Sequence, residues 1–165
     1  MPITDSLLTW IHLLSASIWV GGSIFIGIVL APMLKSFANT VEERTMLMIK
    51  IGRRFNILAI PALAVLVTTG IYNANTFIAS HDTILDSAYG TILVVKIALV
   101  VSMVAVFGVH VKISGRNIEQ ELKNKHNPSS DSICKLRTRI IWLGRVIVGQ
   151  SVAILLLAAM LDSGV

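Results

Sequence analysis

The sequence of 165 residues contains one cysteine, Cys134, so no disulfide can close within the chain and no CxxC pair exists. Charge is scarce too. Only 14% of residues are Asp, Glu, Lys or Arg, against 55% hydrophobic, whereas soluble domains carry about a quarter charged residues. That balance excludes an ordinary soluble domain. Basic residues are missing from most of the chain. Thirteen of the fourteen fall between Lys35 and Arg54 or between Lys112 and Arg145, and the N-terminal segment, the 72–90 connection and the C-terminal tail have none. Those three stretches carry Asp5, Asp82, Asp86 and Asp162 instead. No basic residue precedes the first apolar run, which is also too long for a cleaved signal peptide and reads as a retained span. No recognition motif accompanies the basic residues, so nucleic acid is not an expected partner. Orientation in a bilayer and contact with anionic lipid account for them.

Four apolar runs are present, at about 7–34, 55–78, 91–113 and 140–161. Crossing ~30 Å of hydrocarbon takes roughly 20 helical residues, so each can span. The expected fold is all-α, a single four-helix transmembrane domain over 1–165. Basic residues gather on the cytoplasmic side of membrane proteins, which predicts both termini extracytoplasmic and a multi-pass protein of the cell membrane. Thr40 and Glu43 have capping-box spacing and open an amphipathic stretch with Met46, Leu47, Ile49 and Ile51. We read it as a cytoplasmic interfacial helix that turns at Gly52 into span 2. Glu119/Lys123 and Glu121/Lys125 predict a cytoplasmic helical extension of span 3.

Depth sorts the polar residues. His12 in span 1 and Lys96 in span 3 each lie about five residues in from the outer side, on the order of 8 Å. His81 and Asp82 fall in the connection above them, and Met160 at the outer end of span 4. Ionisable groups inside a membrane segment mark sites or interior contacts. We therefore expect His12 and Lys96 to share one cavity in the outer third, with Trp19 beneath and His81 or Asp82 above. His110 falls some 21 Å from Lys96 along the helix, at the opposite interface. Gln150 is expected to hydrogen-bond between helices. Gly21 and Gly22, with Ser17 and Ser23, offer a small-residue face for helix packing or for a homo-oligomer. No residue is assigned a catalytic role.

The run Trp10-Ile-His12 through Trp19-Val-Gly21-Gly22 resembles the first helix of the copper-resistance D (CopD) family, on the element His-x6-Trp-x-Gly-Gly. Leu93-Val-Val-Lys96-Ile-Ala-Leu and Gly149-Gln150 through Ala158-Ala159 are similar to its later helices, with Gln150 where an acidic residue often stands. The His, Trp and Lys arrangement is also similar to that of the related HemJ-type protoporphyrinogen oxidases. The resemblance implies a membrane bundle that handles copper, or binds haem b, on its outer side. For copper, the implied ligands are His12, His81, Asp82 and Met160, imidazole and carboxylate suiting Cu(II) and thioether Cu(I). For haem, His12 is the implied axial ligand, Lys96 the opposite ligand or a propionate partner, and Trp19 part of the pocket. A subunit of a larger membrane complex without chemistry of its own is the third alternative.

Overall fold

Proline shapes the first helical rod. Pro32 has no amide hydrogen, and its ring crowds the carbonyl four residues back. In the computed structural model, which describes residues 3–78, 88–114 and 130–163, helix α1 (Ile3–Ile24) passes into a π-helical segment, Phe25–Leu30. Helix α2 (Ala31–Phe37) follows, with Pro32 in its first turn. The amide of Ala31 reaches back five residues to the carbonyl of Ile26. The slipped register absorbs the proline without ending the rod.

The Thr40 capping box forms as expected. Glu43 N donates to Thr40 Oγ1 at 3.1 Å, while Glu43 Oε2 accepts from the amides of Asn39 and Thr40 at 3.0 and 3.4 Å. Such a cap contributes about 1 kcal/mol. What it opens differs from the sequence expectation. Helix α3 runs unbroken from Val41 to Ile78, so the amphipathic stretch is the first part of span 2 and not a separate interfacial helix. Gly52 makes no turn because nothing next to it stops the backbone ladder, and helix α3 also continues through Pro61. Helices α4 (Ala88–Ile113) and α5 (Ser130–Asp162) complete the described elements. The expected extension of span 3 lies outside the described residues.

Among the described residues, four helical segments are long and apolar enough to cross a membrane: Ser6–Phe37, Val41–Ala74, Ala88–Ile113 and Cys134–Asp162. The protein is thus an all-α, four-span bundle. Its most extensive packing is between α1 and α3 and between α4 and α5. Large apolar side chains are exposed along all four spans, Trp10 and Trp142 among them, and lipid is their natural surrounding.

Lipid supplies no hydrophobic drive between helices, so close packing and interhelical hydrogen bonds hold the bundle. Trp19, only 2% exposed, anchors a core with Ala59, Leu63, Met103, Phe107 and Ile147. Its indole meets the Phe107 ring edge-on, with centroids 4.8 Å apart and planes at 79°. The indole N–H donates to Ser151 Oγ at 3.0 Å, and that hydroxyl donates to the Ile147 carbonyl at 2.8 Å. Gln150 Nε2 donates to Ser102 Oγ at 2.9 Å, the interhelical bond expected of it. Gly22 lets the Phe55 ring approach so closely that a Cβ there would lie 2.3 Å from a ring carbon. Gly21 faces open space. Only one of the paired glycines is a packing glycine.

Candidate functional site

Chain direction alternates between neighbouring helices, so each end of the bundle collects polar residues from distant parts of the sequence. At one end, His12 lies nine residues past the start of α1, Thr69 nine before the end of α3, and Lys96 eight past the start of α4. Nδ1 of His12 is hydrogen-bonded to Thr69 Oγ1. Thr69 is buried at 9% exposure, His12 and Lys96 are partly buried, and Lys96 is near enough for its charge to act on the imidazole.

The bond to Thr69 orients the ring. Thr69 Oγ1 lies 2.6 Å from the carbonyl oxygen of Val65. Two oxygens approach that closely only with a proton between them, and the carbonyl has none to give. That distance suits a hydroxyl that donates to Val65. With the hydroxyl donating there, Thr69 accepts from Nδ1, and a neutral ring would present its lone pair at Nε2. Metal-binding histidines are oriented in this way, with one nitrogen held by a hydrogen bond and the other free to ligate.

The other sequence candidates are placed differently. Trp19 is in the core, its N–H already used by Ser151. Met160 sits two residues before the end of α5, which on helix rise puts it about 10 Å closer to the bundle end than His12. His81 and Asp82 lie outside the described residues. No group of three or more His, Cys, Asp or Glu able to hold a metal occurs among the described residues. Thr69 was not singled out from sequence. Its signal there, a hydroxyl in the Thr68-Thr69 pair of span 2, has no feature separating it from an ordinary helix-bonded threonine.

The opposite end carries a cavity of about 500 Å³. Its buried part is lined by Trp19, Phe107 and Ile147 with the Phe55 ring, and its more exposed part by Lys35, Arg44, Arg137 and Arg145. His110 lines it too, and its Nδ1 is buried without a partner among the described residues. Neither His12 nor Lys96 touches this cavity. A haem gripped between those two residues would have to find its space elsewhere.

The family model described as copper resistance protein D matches residues 49–161. That stretch contains Thr69, Lys96, His110 and Gln150 but stops short of His12 and Trp19. Copper transport protein CutJ of Bacillus subtilis (strain 168) is 34% identical over 104 residues, which cover 63% of this chain and 18% of that protein. The match therefore takes in less than a fifth of the relative's length. No solved structure matches the chain.

Proposed function

The chain belongs to the copper resistance protein D family, and on that premise we propose that it is a membrane protein that binds and passes copper, taking the ion at Nε2 of His12. The observation that carries this reading is the Thr69 hydrogen bond, which holds Nδ1 and supports Nε2 as the nitrogen turned to the ion. Imidazole nitrogen is a good ligand for copper in either common oxidation state. His81 and Asp82, in the segment joining α3 to α4, are the further donors the sequence offers on this side. The similarity to a protein named for copper transport supports the same cargo. The sorting of basic residues supports a cytoplasmic position for the Lys35 and Arg145 end, so His12 faces the extracytoplasmic side. Copper would then meet His12 first from outside the cell.

Lys96 opposes the ion rather than binding it. A lysine ammonium near an incoming cation raises the energy of the loaded site, by an amount that falls off with distance and screening. Its neighbourhood to His12 makes copper occupancy readily reversible, as passage through the bundle requires.

Copper bound per chain, measured on purified protein loaded with cuprous or cupric ion, tests the reading. Wild-type protein should hold copper and His12→Ala should lose most of it. A visible spectrum on the same sample, oxidised and then dithionite-reduced, should lack a Soret band. A Soret band abolished by His12→Ala would replace copper with haem b. Equal copper in both proteins would leave the accessory-subunit alternative.

A further inference from the structure

The cavity at the basic end has no part in copper binding at His12, yet it is shaped and charged like a ligand site. Its floor is aromatic, with buried Trp19 and Phe107 beside the partly buried Phe55. Four cations, Lys35, Arg44, Arg137 and Arg145, stand in an otherwise largely apolar wall, and among the described residues that wall holds no carboxylate. Arg44 is held in place by backbone carbonyls, Nε donating to Ala38 at 2.9 Å and Nη2 to Lys35 at 3.4 Å. Those bonds fix its guanidinium without neutralising it. His110 Nδ1, buried in the same wall, lacks a partner among the described residues, and such atoms in native proteins call for an unseen one.

We infer that this cavity binds one anionic phospholipid, its phosphate held by Arg44, Arg137 and Arg145 and an acyl chain laid against the aromatic floor. Charge complementarity selects this occupant. Four like charges around one opening repel one another unless an anion sits among them. A free phosphate would answer the charges and leave the apolar floor bare, while a zwitterionic lipid would fill the floor and leave the charges. An anionic lipid answers both, and basic pockets between membrane helices are established places for such head groups. The volume is within the roughly 300–1,000 Å³ of small-ligand sites.

The test is native mass spectrometry of the full chain in detergent, stripped of lipid and titrated with phosphatidylglycerol, phosphatidylcholine or inorganic phosphate. One phosphatidylglycerol per chain should bind well ahead of phosphatidylcholine. Arg137→Gln and Arg145→Gln should each weaken it about fivefold. Gly144→Leu, whose new side chain enters open space in the cavity wall, should block the lipid with every charge intact. Lys50→Gln, exposed at the same end but off the wall, should leave binding unchanged. If the arginine variants do not fold, Gly144→Leu and Lys50→Gln decide the matter alone. Equal affinity for the two lipids overturns the inference. So does displacement of the lipid by inorganic phosphate, a loss with Lys50→Gln as large as with Arg145→Gln, or a porphyrin adduct that Gly144→Leu removes.

Discussion

Thr69 Oγ1 on α3 is hydrogen-bonded to His12 Nδ1 on α1, and the same hydroxyl lies 2.6 Å from the Val65 carbonyl. A threonine that would otherwise be a routine helix-bonded hydroxyl is thereby tied to an imidazole on another helix. Thr69→Val keeps the shape and removes the acceptor. Copper affinity should fall 10- to 100-fold, the usual loss when a ligand's supporting hydrogen bond is removed. Thr69→Ser should recover most of it. Competition with a chelator of known affinity measures both, and an unchanged Thr69→Val would mean that His12 is not oriented by this bond.

Lys96→Met should act in the opposite direction. Removing a positive charge near an incoming cation strengthens binding, about fivefold if the charges are worth about 1 kcal/mol to each other in a partly buried setting. The same titration reads it. Should Lys96→Met weaken binding instead, the amine itself is a ligand and the repulsive role assigned to it is wrong.

Gly22→Leu and Gly21→Leu separate two residues that sequence alone left equivalent. The Phe55 ring occupies the space a side chain at Gly22 would need, so Gly22→Leu must push α1 and α3 apart or displace the ring. Overpacking of that kind costs about 1–3 kcal/mol. Gly21 is exposed towards lipid and meets nothing. Gly21→Leu should melt within a degree or two of the parent in the same detergent, and Gly22→Leu several degrees lower. If Gly21→Leu were the damaged variant, a second chain would have to be packing against that face.

The spans were legible because crossing a bilayer demands a length and an apolarity that few other structures share. The Thr40 cap and the interhelical bond of Gln150 were legible for a similar reason, since each residue had one physically economical partner. Contacts between helices were less so. Whether Gly21 or Gly22 meets Phe55 depends on how α1 is rotated, and the low amphipathicity of a membrane helix leaves that rotation undefined. The unbroken α3 was misread because Gly52-Arg53-Arg54 looks like a boundary in composition, while the backbone needs only continued hydrogen bonding. The basic residues were read for orientation, and their convergence on one cavity needed the antiparallel pairing of helices far apart in sequence. The fit of His12 to Thr69 has the same origin, since 57 residues separate the two.

Topology is tested by the chain's own cysteine. Cys134 is exposed and lies in the basic half of the sequence order, at the start of the last span. Ser163 is exposed just beyond the other end of the same helix. Basic flanks are retained on the cytoplasmic side because moving them across the bilayer against the membrane potential costs about 2.3 kcal/mol per charge at 100 mV. A membrane-impermeant maleimide should therefore leave Cys134 unlabelled in intact cells and label it after permeabilisation. In a Cys134→Ser background, Ser163→Cys should be labelled without permeabilisation. The reverse pattern would turn the bundle over. It would put His12 on the cytoplasmic side and make copper export, rather than entry, the direction in which His12 meets the ion first.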